Sequence, residues 1–316
     1  MRILFTILAA FLLNIQIAVS QELYLLTNSA GQGEALTCFL YPVEGVTDTE
    51  FVLEDSSGKV LDMNPGFFYE PGNDYRVVVG IFGIASDALT GVGTLTVGFS
   101  TPQGREERSL LVNIAMQDFL VEIIPLDNTA TGILSTPDPR KKEQAKKLWN
   151  ILLTWNGKNQ FSDSMFILPV EKHEESAWYG DRRTFKYTGG GTATTIHGGL
   201  DLAAKTGEPV LAPADGLVVM AEERIISGWT IVLEHLPGIF TMYYHMSRID
   251  AADGQNVKQG QVLGLVGATG LVTGPHLHWE AKIHGISVDP KWFLTHPLID
   301  KEAILITIES AVPKRR

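Results

Sequence analysis

Gly274-Pro-His276-Leu277-His278-Trp279-Glu280-Ala-Lys-Ile283 is the stretch on which the reading of this chain turns. From His276 it alternates polar and apolar residues, the pattern of a strand with one buried face. Successive side chains of a strand point to opposite faces, so His276, His278 and Glu280 share one face and Leu277 and Trp279 the other. Two imidazoles presented together can serve one metal, or one metal and one water. Glu280, on the same face, is placed to orient a neighbour.

Two further runs carry the same chemistry. In His197-Gly198-Gly199-Leu200-Asp201 the spacing of four suits a helix face. Each glycine, however, costs a helix about 1 kcal/mol relative to alanine. An extended or open segment also aligns the pair, and its glycines let the backbone pass close to metal or substrate. The run Tyr243-Tyr244-His245 lies on an expected strand over 240–246, with His245 sharing a face with Thr241 and Tyr243. Two histidines and a carboxylate satisfy the protein's share of a catalytic zinc site, which keeps one position open. A remaining imidazole can exchange a proton at neutral pH. His245 is then the candidate to stabilise an oxyanion or to hold the water. His173, His235, His284 and His296 lack such company and read as surface or turn histidines.

Around these runs, strands are expected at 210–213, 217–221, 230–235, 240–246, 257–264 and 276–283, with Leu236-Pro237-Gly238 as a hairpin turn. The absence of a helical pattern between them predicts an antiparallel sheet. Residues 22–127 show short β-like runs separated by turn clusters and contain no histidine, which suggests an immunoglobulin-like β-sandwich. A polar linker follows over 128–139. Over 141–155, Ala145, Leu148, Trp149, Leu152 and Trp155 recur at helical spacing and predict an amphipathic helix. It packs on a neighbouring domain or, alternatively, covers a groove or binds a partner. The expected organisation is a mainly β chain with a signal segment at 1–20, a β-sandwich at 21–127, a linker with a helix at 128–160, and a second β domain at 161–316.

The net charge of −11 over 316 residues argues against nucleic acid as a partner. The basic end Lys314-Arg315-Arg316 is too short to reverse that. Arg2, the apolar run 3–13 and the small residues Ala18-Val19-Ser20 read as a secretory signal. Asn14 and Gln16 interrupt the apolar run, which argues against a permanent anchor, although an uncleaved one is the alternative. No other stretch is long and apolar enough to span a bilayer. The single cysteine, Cys38, has no intramolecular partner and sits in an apolar run, so it is expected to be buried.

Taken together, the runs resemble the LytM/lysostaphin-type zinc metallopeptidases, which cleave the peptide part of bacterial cell walls. The likeness covers roughly 166–294. It rests on Gly180-Asp-Arg-Arg183, the His197 to Asp201 run, Pro209-Val-Leu-Ala-Pro213 with Asp215-Gly216, Tyr244-His245, Gly260-Gln261, Gly264-Leu-Val-Gly267 and Thr273-Gly-Pro-His-Leu-His-Trp279. The resemblance implies an antiparallel LytM-like (duplicated-hybrid-motif) sheet with its site in a groove walled by loops. It implies one Zn2+ per chain held by His197, Asp201 and His278. It also implies catalytic roles for His276, as general base, and His245, as the second histidine. The implied activity is an exported endopeptidase acting on peptidoglycan stem peptides and crosslinks, in the periplasm or cell envelope or secreted. A regulatory envelope protein is a further candidate partner. The alternatives are a non-hydrolytic wall-binding or amidase-activating regulator, and a latent peptidase covered by its N-terminal region.

Overall fold

A computed structural model describes residues 20–311. The expected signal segment, apart from Ser20, and the basic end lie outside the described residues. Among the described residues no helix is long and apolar enough to cross a membrane.

The chain is mostly β, as expected. Its N-terminal part stacks two sheets. One orders Glu22–Leu25, Ala35–Tyr41, Tyr75–Gly83 and Phe67–Gly72; the other orders Ser29–Gly31, Gly104–Ala115, Gly91–Thr101, Thr47–Glu54 and Val60–Asn64. Leu36, Cys38, Leu40 and Phe82 of the first meet Phe51, Leu53, Val97 and Phe99 of the second in a dry core. Cys38 is fully buried, and burial pushes its thiol well up. The outward face of the first sheet is not solvated. Its Phe39, Val77, Val79 and Ile81 enter the main core of the C-terminal part. The Tyr75–Gly83 strand therefore reads as a nearly unbroken apolar run, the signature of burial on both faces. At Gly83 a Cβ would stand 2.9 Å from Val288, so the two parts touch backbone to side chain there.

The C-terminal part is built on an antiparallel sheet. Its order is Glu174–Ala177, Gly199–Ala203, His276–Ile283, Ile239–Met246, Gly228–Leu236, Gly216–Arg224 and Asn256–Val257, with Ile286–Val288 beside His276–Ile283. One face buries Leu200, Leu202, Ile231, Tyr243, Leu277 and Trp279. The other carries Met220, Val232, Phe240, Met242 and Tyr244, against which the Pro139–Leu152 helix lays Leu148, Ile151 and Leu152. That helix starts two residues before the expected 141, because Asp138 accepts the Arg140 amide at 2.9 Å and Pro139 sits at its first turn. It stops at Leu152. Trp155 leaves the stripe and packs near Phe67 and His284 instead.

Several expectations are corrected. The 128–139 linker contains a helix, Asn128–Ser135, started by Asp127 accepting the Ala130 amide at 2.7 Å. The strand expected over 257–264 divides into Asn256–Val257 and Val262–Leu265, because Gly260 (φ +78°) turns the chain between them. A C-terminal helix, Lys301–Ala311, follows the Asp300 cap and buries Ile304 and Ile308. Val121–Pro125, expected within the sandwich segment, pairs in parallel with Arg182–Lys186 and so belongs with the C-terminal part.

His235 is no surface histidine. It is fully buried, with Nδ1 at 2.8 Å from the Asp215 carbonyl and Nε2 at 2.8 Å from Thr241 Oγ1. Burial, only partly countered by Asp215, lowers its pKa to about 4. The folded protein thus binds this proton less readily than the unfolded chain. The neutral ring's stability contribution is complete above the unfolded pKa of about 6.5 and is lost as pH falls toward the folded value, by about 3 kcal/mol in all. Thermal melts between pH 7 and pH 4 check this: His235→Gln should flatten the acid loss relative to the parent. His284 does occupy a turn, but its ring is largely buried, with Nδ1 at 2.7 Å from Asp62 Oδ2.

Candidate metal centre

A row of side chains crosses three neighbouring strands on the helix-bearing face. Asp201 stands opposite His278, and His278 opposite Tyr244. The alternation inferred for His276–Ile283 holds: Leu277 and Trp279 are buried in the core, while His276, His278 and Glu280 line the cavity. His197 enters from the loop just before Gly199–Ala203. The paired glycines allow this approach for a reason other than the one expected. A Cβ on Gly199 would lie 2.1 Å from the Trp279 carbonyl oxygen, and one on Gly198 would lie 2.9 Å from Glu280 Oε1. They let the strands close together rather than let a ligand in.

His245 departs from its expected face. Thr241 and Tyr243 are buried in the core, where Thr241 Oγ1 and Tyr243 Oη are 2.6 Å apart. His245 instead lines the cavity with Tyr244. Its pairing shows why: Ile231 faces Tyr243 and Trp229 faces Met246, so two residues oppose one. His245 has φ +64°, a left-handed conformation uncommon for a non-glycine residue. This bulge turns it toward His276, with ring centroids 4.9 Å apart. Leu271, Val272 and Thr273, from the loop before His276, also line this cavity.

His197, Asp201 and His278 bring their ligand atoms together. His197 Nε2 is 3.0 Å from Asp201 Oδ1 and 3.0 Å from His278 Nδ1, and His278 Nδ1 is 2.6 Å from Asp201 Oδ1. The outer nitrogens explain what these atoms offer. His197 Nδ1–H donates to the Trp178 carbonyl at 2.6 Å, and His278 Nε2–H donates to Glu280 at 2.9 Å. With both protons committed outward, neutral rings turn two lone pairs and a carboxylate oxygen to one point. Such a set repels itself unless a cation or a proton sits there, so the donor chemistry fits a metal ion. Without one, burial of His278 is outweighed by Asp201 and Glu280, and its pKa rises to about 9. Asp201, despite burial, is held well below the usual carboxylate range by His278 and His197.

Sequence reasoning missed two neighbours. Arg183 donates to Asp201 Oδ2 at 3.0 Å, which leaves Oδ1 for the shared point. Its only earlier signal was the Gly180 to Arg183 run, which named no role. Lys282, 3.3 Å from Glu280, together with His278 holds the partly buried Glu280 carboxyl at about 2, so it stays an acceptor for His278.

His276 and His245 stand outside this trio. His276 Nε2 is 3.8 Å from Asp201 Oδ1, and its Nδ1–H donates to the Gly274 carbonyl at 2.9 Å. His245 Nδ1–H donates to the Thr269 carbonyl at 2.8 Å. Burial lowers the pKa of both, that of His245 to about 3. Both rings are therefore neutral near pH 7, with an accepting Nε2 available to the cavity. That cavity, of about 640 Å³, is walled opposite the sheet by Glu122, Ile124, Leu126 and the helix residue Gln144.

The profile of peptidase family M23 matches residues 195–290, which contain all five of these residues. The DD-carboxypeptidase/endopeptidase Mpg of Neisseria meningitidis serogroup B is 44% identical over 95 residues, covering 30% of this chain and 22% of that protein. The peptidoglycan DD-endopeptidase ShyC of Vibrio cholerae is 36% identical over 123 residues, covering 39% of this chain and 28% of that protein. The match thus spans roughly a quarter of these relatives' length. A peptidase M23 crystal structure from Pseudomonas aeruginosa shares the fold over 85% of this chain and 96% of that one, with a TM-score of 0.57 at 23% identity. Residues 195–290 of this chain are accordingly a peptidase family M23 domain of the LytM/lysostaphin type.

Proposed function

We propose that the protein is an exported, zinc-dependent endopeptidase that hydrolyses peptide crosslinks of bacterial peptidoglycan. The observation that carries the reading is the lone-pair convergence of His197 Nε2, Asp201 Oδ1 and His278 Nδ1 beside two neutral histidines. The relatives named above supply the substrate class.

His197, Asp201 and His278 would hold the ion. Zinc, when bound, supplies Lewis acidity and brings the pKa of water to about 7. His276 accepts the water proton at Nε2 and returns it to the leaving amine. His245 presents the same kind of nitrogen. In its neutral tautomer it accepts a hydrogen bond and so holds the water; it becomes a donor to the developing oxyanion only after gaining a proton. Trp178 and Glu280 fix the ring orientations of His197 and His278 through their outer nitrogens. Export brings the groove to its substrate.

Native mass spectrometry and chelation test this reading. One zinc per chain is expected, with release of peptides from peptidoglycan abolished by chelator and restored by zinc. A zinc-loaded protein that releases none from any peptidoglycan type would instead favour the wall-binding regulator.

A further inference from the structure

Arg224 ends the Gly216–Arg224 strand and lines the same cavity as His245 and His276. Its Nη2 donates to the Gln144 carbonyl at 3.0 Å and its Nη1 to Ser227 Oγ at 3.4 Å. Its Nε is buried with no partner, and among the described residues no carboxylate lies within 4.0 Å of its guanidinium. Arg224 as a whole is partly buried, but a buried guanidinium nitrogen without a partner is costly, and such groups in native proteins need an explanation.

The acids of the cavity do not supply one. Glu122 lies 3.5 Å from Arg183, Asp201 binds Arg183 at 3.0 Å, and Glu280 is 3.3 Å from Lys282. Lys141, also on the cavity wall, donates to the carbonyls of Ile133 and Thr136 rather than to a carboxylate. In a chain of net charge −11, this wall is left with two cations that have no acidic partner. Tethering the helix does not account for Arg224 either, because Gln144 Oε1 already accepts the Ile225 amide at 3.0 Å. The turn that follows Arg224 is coupled to the catalytic wall. The Ser227 carbonyl accepts from the His245 amide at 2.8 Å, and the Ile226 carbonyl accepts from the Leu271 amide at 2.7 Å.

We infer that Arg224, aided by the charge of Lys141, binds a free carboxylate of the peptide substrate and makes the groove selective for acidic over amidated peptides. The guanidinium fork matches a carboxylate, and its partial burial in the cavity wall strengthens the pair relative to an exposed one. The inference rests on the peptidase reading and adds the chemistry of one substrate position.

The test uses the full mature chain and crosslinked stem peptides with their acidic residues either free or amidated. Calorimetry on zinc-loaded His276→Ala protein gives both dissociation constants without turnover. The free acid is expected to bind about tenfold more tightly than the amide. Arg224→Gln should bring that ratio close to one, and Arg224→Lys should keep part of it. A parent ratio near one, or a ratio that persists in Arg224→Gln, overturns the inference. Parent enzyme that cuts both peptides without discrimination overturns the inference alone. Failure to bind or cut either peptide overturns the peptidase reading with it.

Discussion

His276→Ala is expected to lower peptide hydrolysis by about 10²–10⁴-fold while the protein keeps its zinc. The His276 ring is not one of the three converging ligands, and its Nδ1–H is committed to the Gly274 carbonyl. Its contribution is therefore a proton acceptor at Nε2 rather than a bond to metal. His245→Asn should behave similarly, because asparagine tolerates the left-handed backbone at this position better than most residues. Steady-state rates measured alongside metal content check both. Full zinc with a large loss of rate fits the proposed roles. A loss of zinc that parallels the loss of rate would make these residues ligands instead.

The second large effect is expected at Asp201. Removing its carboxylate in Asp201→Ala deletes a proposed ligand and strips Arg183 of its closest partner, leaving a guanidinium beside the candidate metal-binding point. Zinc affinity should fall by more than the roughly 10–100-fold associated with losing an outer partner of a ligand. Asp201→Asn keeps the shape but not the charge, and it should also lose zinc. Competition with a zinc-binding dye measures both. Retained zinc in Asp201→Ala would move the metal elsewhere in the groove.

The parts of this site that follow strand periodicity were legible from residues alone. His276, His278 and Glu280 fall on one face because no bulge interrupts their strand. His245 was misplaced because a bulge and a positive φ break the alternation after Tyr243, and no glycine or asparagine marks that position. The partners that hold the ligands were hidden for another reason. Arg183 and Trp178 meet the site only after Arg182–Lys186 and the loop before it fold back on the sheet. His235 escaped because a histidine satisfied by a carbonyl and a threonine leaves no mark on polarity patterns. The Lys301–Ala311 helix has only an Asp300 cap and two buried residues one turn apart, Ile304 and Ile308, to mark it in the sequence.

Mass spectrometry of peptides released from purified peptidoglycan by the zinc-loaded protein is the most direct test of the proposed activity. The account predicts that crosslinked peptides convert to uncrosslinked ones with one water added per bond, and that chelation stops the conversion. Intact crosslinks in the presence of zinc-loaded protein, across peptidoglycans of different crosslink chemistry, would contradict it.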